Sequence, residues 1–279
     1  MRPHRTPELA PASATPLAET LVRISPLEVA GTGLSVRLGP PEGPGWTTAA
    51  GLAGDDVLLE ELLRRMGRAY DSEDRAVLGA LFLRGYLWRI LLPAVAAFLL
   101  DRRVPDVGAE NVALRFDERG GATGLALLGG RFAALDGDPA SGAGDVLVAA
   151  GEVEMLAWFR GRLAEAHLPA LFSALERRGM RRARRALWGM VADLVAEAFA
   201  WTGPVLDLEP EARAFAEAAL DGSPPISGAA NFSVVEHEGG PLPTRVRNSC
   251  CLYYRVGGIT CLTCPRNTRD ERMQRLTAG

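Results

Sequence analysis

Four cysteines are the whole supply of thiols in this chain of 279 residues: Cys250, Cys251, Cys261 and Cys264. A stabilising disulfide framework spreads its cysteines to close long loops. This cluster closes almost nothing, and it reads as a local thiolate cage for a metal. Cys261-Leu-Thr-Cys264 is a metal-binding turn, in which two sulfurs converge while backbone N–H groups point at them. The adjacent Cys250-Cys251 pair is unusual for tetrahedral zinc, which prefers two Cys-x-x-Cys pairs. Neighbouring side chains diverge, whereas a two-iron centre tolerates wider sulfur separation, and four thiolates complete the ligation of a [2Fe–2S] cluster. Gly257-Gly258 supplies a turn between the pairs, and Pro265 fixes the exit of the loop. On residues alone, a structural zinc site, a redox disulfide at Cys261–Cys264 and four unliganded thiols remain open readings.

Other chemistry-bearing residues are fewer. All 31 basic residues are Arg, so Schiff-base, P-loop and catalytic-lysine chemistry are excluded. Gly137–Gly144 is accordingly no phosphate loop. His167 and His237 are metal ligands by type, but they lie far apart, and no Glu stands at zincin spacing. His167, just before Leu168-Pro169, reads as a helix-end residue. The densest basic run is Arg177, Arg178, Arg181, Arg182, Arg184 and Arg185. It reads first as a solvated helix face paired with local Glu, and second as a dock for an acidic electron donor or an anionic ligand.

The elements that must position the cysteines follow from composition and pattern. At 48% hydrophobic and 23% charged, the chain has the balance of a globular protein able to fold without disulfide or metal. A net charge of −3 gives no sign of nucleic-acid binding. Residues 1–20, rich in Pro, Ala and Thr, read as a mobile arm with no apolar core of a secretory signal. Residues 21–245 read as a helix-rich α+β body with small antiparallel β elements. Residues 246–279 read as the cluster-binding segment and tail. A helix to about Tyr70 and a long apolar helix to about Leu100, bent or broken at Pro93, are expected. The latter's most apolar part, Ile90–Leu100, is too short for a membrane span and reads as buried. Strands are expected at Leu34–Leu38, Asn111–Phe116, Gly124–Leu128 and Arg131–Leu135, the last two joined as a hairpin by Gly129-Gly130. Helices are expected at Glu152–Ala166, after Pro169, at Arg181–Trp201 and from Pro210. Strands then follow at Asn231–Glu236 and Thr244–Tyr254.

Cys250-Cys251-Leu-Tyr-Tyr-Arg255, the glycines, and Cys261-x-x-Cys264-Pro265 together resemble the FhuF-like ferric-siderophore reductases. Arg185-Ala-Leu-Trp188-Gly-Met resembles them more weakly. The strong part covers about twenty residues, and nine residues separate the two pairs where the family usually has ten. The resemblance implies a [2Fe–2S] cofactor on Cys250, Cys251, Cys261 and Cys264. It also implies one-electron reduction of a ferric siderophore, with release of ferrous iron in the cytoplasm or at the inner face of the membrane. No dinucleotide fingerprint is present, so an external reductase or reduced carrier is the expected electron donor. On this reading Arg245, Arg247, Tyr253, Tyr254 and Arg255, which surround the cysteines, are candidates to line the siderophore pocket.

Overall fold

The computed structural model describes residues 15–277 apart from 223, 238, 239 and 258. Its helices are α1 (Pro16–Ile24), α2 (Ala49–Gly54), α3 (Asp56–Tyr70), α4 (Arg75–Asp101), α5 (Glu152–Ala164), α6 (Leu168–Arg177), α7 (Arg184–Val205), α8 (Glu209–Leu220), the short α9 (Tyr254–Gly257) and α10 (Arg269–Thr277). Its strands are β1 (Glu28–Val29), β2 (Thr32–Gly33), β3 (Arg37–Leu38), β4 (Trp46–Thr48), β5 (Arg103–Pro105), β6 (Val112–Phe116), β7 (Ala122–Leu127), β8 (Phe132–Leu135), β9 (Val146–Ala149), β10 (Phe232–His237) and β11 (Gly240–Arg245). This is the expected helix-rich α+β class. The sheets are small: β3-β7-β6-β4, β5-β8-β9, and the hairpins β1–β2 and β10–β11. Two pairings, β3 with β7 and β8 with β9, are parallel rather than antiparallel.

Helix α4 is the centre of the molecule. Asp74 caps it by accepting the N–H groups of Ala76 and Val77. Its apolar residues run all round the helix, so every face needs cover. The cover comes from α1, α3, α7, β5 and β7. The helix continues through Pro93 without a break. It is long and apolar enough to cross a membrane, but 72% of its most apolar window is already buried inside the fold. Helix α7 packs on α4 and on α8. At Gly203 the last pair is so close that a Cβ would lie 2.6 Å from that of Ala212, so only glycine fits there.

Several expectations change. The arm is shorter than residues 1–20, because α1 docks from Pro16 onward and buries Leu17, Leu21 and Ile24. Thr20 Oγ1 donates to Asp101 at 2.6 Å, and Arg103 donates to the Pro16 carbonyl at 2.7 Å, fixing α1 on the end of α4. Residues 1–14 lie outside the described residues. Gly129-Gly130 does not make a hairpin but carries the chain from one sheet to another, held where the Asn111 side chain accepts the Gly129 N–H. The hairpin lies earlier, between β6 and β7, around Asp117, whose carboxylate accepts from Arg119 and Gly121. Gly179, at φ +87°, ends the α6 region, so the arginine run is split rather than carried on one helix.

His167 sits at the start of α6, buried and fully engaged. Its Nδ1–H donates to the Val107 carbonyl at 2.5 Å, and its Nε2 accepts the Tyr86 hydroxyl. It is a core residue, not a metal ligand. Burial is the main cause that pulls its pKa from 6.5 down to about 4. The folded protein therefore holds it neutral while the unfolded chain protonates it below 6.5. Stability should fall as pH drops from about 6.5 to about 4, by roughly 3 kcal/mol from this group. Urea unfolding at pH 7 and pH 4.5, wild type against His167→Phe, checks this: the variant starts weaker and loses less on acidification. The His237 side chain lies outside the described residues.

Candidate metal centre

The cysteine segment hangs from one face of α7. Asp193 and Glu197 stand four residues apart on it and are 1% and 3% exposed. Two carboxylates in an otherwise apolar helix require partners. The partners arrive on β11 and just beyond it. Arg245 donates to Asp193 Oδ1 at 2.9 Å, to the Asp193 carbonyl at 2.9 Å and to the Ala230 carbonyl at 3.0 Å. Arg247 forms a bidentate pair with Glu197. Burial opposes the Arg247 charge, but the Glu197 carboxylate outweighs it and pushes the guanidinium further up.

Asp193 also shapes the chain entering the cysteines. It accepts the backbone N–H of Asn248 and of Ser249, each at 2.8 Å, and the Ser249 hydroxyl at 2.8 Å. These bonds turn the backbone out of extended pairing, so β11 ends at Arg245 and not at Tyr254. Leu252 then takes a left-handed φ of +63°. The turn aims the Leu252 N–H at Cys250 Sγ, 3.4 Å away. On the second limb, the Cys264 N–H donates to the Cys261 carbonyl at 3.0 Å, closing the Cys-x-x-Cys turn. Asn267, buried, donates to the same carbonyl at 2.9 Å. Glu197 joins the two limbs: it holds Arg247 and accepts the Thr263 hydroxyl at 2.9 Å, while the Arg247 N–H donates to the Thr263 carbonyl at 2.9 Å.

The four sulfurs meet as two pairs. Cys250 lies beside Cys264, and Cys251 beside Cys261. Cys251 and Cys264 are buried, while Cys250 and Cys261 are partly exposed. The bond from Cys261 lowers the Cys251 thiol, with help from the Arg247 and Arg84 charges, and the same bond pushes Cys261 up. Among the described residues, no three of His, Cys, Asp and Glu converge as ligands of one ion would. Two sulfur pairs suit a two-metal centre better than a single zinc ion.

Two family models match the chain. One, described as a ferric iron reductase FhuF-like transporter, matches residues 80–249. The other, the FhuF 2Fe–2S C-terminal domain, matches residues 247–266 and so contains all four cysteines. The chain belongs to the FhuF-like ferric iron reductase family. Its C-terminal domain makes the cofactor a [2Fe–2S] cluster, and four paired thiols, with the Leu252 N–H at Cys250, fit that group. A search of curated proteins returned no match to this FhuF-like chain.

The five residues named for a pocket around the cysteines are placed differently from one another. Arg245 and Arg247 are buried and committed to Asp193 and Glu197, so neither reaches a ligand. Tyr253 packs edge-on against Tyr70, with centroids 6.4 Å apart. Tyr254 lies under the Arg266 guanidinium at 4.5 Å. Arg255 pairs with Asp74 at 2.7 Å on the surface. Asp193, Glu197 and Asn267 lie outside the cysteine motif and its flanking arginines and tyrosines. The first two carried a readable signal: acids at i and i+4 in an apolar helix, matched by arginines at i and i+2 on a strand, span similar distances.

Proposed function

We propose that Cys250, Cys251, Cys261 and Cys264 hold the [2Fe–2S] cluster, and that the protein reduces ferric iron in siderophore complexes by one electron, releasing ferrous iron in the cytoplasm. The observation that carries this reading is the meeting of all four thiols as two pairs inside the segment matched by the 2Fe–2S domain. When bound, such a cluster supplies one electron at a time. Hard oxygen donors hold Fe(III) far more tightly than Fe(II), so one electron suffices to loosen the complex. No general acid, base or nucleophile is needed. The chain's own residues have three tasks. Asp193, Glu197, Arg245 and Arg247 fix the two cysteine limbs on α7. The Leu252 N–H stabilises negative charge on the Cys250 sulfur. The partly exposed Cys250 and Cys261 form the side open to an oxidant. The electron is drawn from a separate reductase or reduced carrier.

An anaerobic visible spectrum with iron and sulfide analysis tests the cofactor assignment. The expected result is a red-brown protein with about two iron and two sulfide per chain, bleached by dithionite. Each single Cys→Ser variant should weaken or abolish the chromophore, and Cys250→Ser/Cys251→Ser should abolish it. A normal spectrum in that double variant overturns the four-thiolate assignment. Reoxidation of the dithionite-reduced protein by ferric siderophores tests the activity. An intact cluster that no ferric chelate reoxidises would point instead to a non-enzymatic electron-transfer or sensing role.

A further inference from the structure

An open cleft of about 900 Å³ lies directly against Cys250. Its walls are the start of α7, the 224–228 loop and residues 248–250. The size is that of a small-molecule site, not of a flat protein interface. Its charge is one-sided: Arg182 and Arg185 line it, and among the described residues no carboxylate does. Asp193 lies behind the floor, but its oxygens are committed to Arg245, Asn248 and Ser249.

Of the neighbouring arginines, Arg181 does not line the cleft, and three others are paired. Arg177 and Arg178 pair with Asp56, and Arg184 with Glu176. Arg182 and Arg185 have no carboxylate partner among the described residues. Arg182 donates one Nη to the Cys250 carbonyl at 2.5 Å, while its other Nη is buried without a partner. A buried guanidinium nitrogen with no acceptor favours an anion placed beside it. Ala183 precedes α7 with no side-chain cap, so the positive end of a 22-residue helix also opens on the cleft. Trp188 adds an aromatic wall.

We infer that this cleft is the substrate site, and that it takes a ferric chelate of net negative charge, with carboxylate or catecholate oxygens held by Arg182 and Arg185 beside Cys250. The inference rests on the reductase reading for the role of the site, but binding can be tested without electron transfer. Gallium(III) copies the size and charge of iron(III) and has no accessible one-electron reduction. The experiment is calorimetric titration of the cluster-loaded protein with a hexadentate gallium(III) tris-catecholate, a trianion, and with a neutral gallium(III) tris-hydroxamate of similar size.

The wild type should bind the trianion saturably and more tightly than the neutral chelate. Arg185→Gln should weaken the trianion about tenfold and Arg185→Glu about a hundredfold, with little change for the neutral chelate. Arg185 is exposed and makes no internal bond among the described residues, so both variants should keep the wild-type visible spectrum. No saturable binding, equal losses for both chelates, or wild-type affinity in Arg185→Glu would each overturn the site. An effect of Arg185→Glu confined to reduction by an acidic carrier protein, with chelate affinity unchanged, would likewise overturn it and make the patch a donor dock. If the gallium trianion binds as expected while its iron counterpart is never reduced, the reductase reading fails and the site stands.

Discussion

Arg247→Ala should be among the most destabilising single changes in the protein, costing about 3–5 kcal/mol. The cost does not come from losing an attraction alone. Glu197 is 3% exposed, and without Arg247 its carboxylate keeps only the Thr263 hydroxyl and the more distant Arg245, 3.4 Å away. A buried charge deprived of its main partner bears most of its desolvation cost unrelieved. For a chain of this size the loss corresponds to a melting temperature lower by roughly 10 °C. The control is the double variant Arg247→Met/Glu197→Leu, which removes both charges and fills the space with apolar atoms. It should recover most of the stability, because replacing a whole buried pair is close to neutral. Arg247→Ala should also differ from wild type in reduction potential, since it removes a positive charge from beside Cys251 and Cys261 and leaves Glu197 uncompensated, whereas the double variant, which removes both charges, should lie closer to wild type. Thermal unfolding and a redox titration of the loaded proteins check the two halves of the claim. A melting point for Arg247→Ala within about 2 °C of wild type would mean that the pair is not carrying the load its burial implies.

The same pair shows what was legible in the sequence. The cysteines were plain, because four thiols in fifteen residues have few uses. The long apolar helix was plain too, because a sustained apolar run is a local signal, although it passes through Pro93 unbroken. The Arg245 and Arg247 assignments went wrong for a physical reason. Arginines beside a metal segment have the right chemistry to bind an anionic ligand, and nothing local distinguishes that from answering a buried acid fifty residues upstream. The hairpin at Gly129-Gly130 failed similarly: two glycines permit a tight turn, but tertiary pairing sent β7 and β8 to different sheets. Strand order, the parallel pairings and the docking of α1 by Thr20 and Arg103 depend on contacts more than eighty residues apart or on sheet assembly. The cleft residues were visible only as part of a charge run. Gly179 and the acids Asp56 and Glu176 sort that run into paired and unpaired members, and this sorting is three-dimensional.

Asp193→Asn should separate folding from cluster loading. The carboxylate accepts five hydrogen bonds, from Arg245, from both nitrogens of Asn248, and from the N–H and hydroxyl of Ser249. An amide keeps the shape but turns one acceptor into a donor. If the nitrogen faces Ser249, it meets an N–H that has nothing to accept with. If it faces the other way, it meets Arg245 and the Asn248 N–H. Either orientation opposes donors in a buried site, where an unmet donor costs about 1–3 kcal/mol. The damage is directed at residues 245–249, the approach to Cys250, and not at α1–α6, whose cores are built from separate contacts. The expected variant therefore keeps near-wild-type helical circular dichroism, binds iron and sulfide at well under half the wild-type level, and loses its remaining chromophore to a chelator faster. Ser249→Ala removes only the hydroxyl bond and should show a much smaller effect on loading. Full loading of Asp193→Asn, with wild-type resistance to chelation, would show that the cysteine limbs hold their geometry without the α7 anchor. Loss of the whole helical signal would show instead that Asp193 serves the core and not the metal segment.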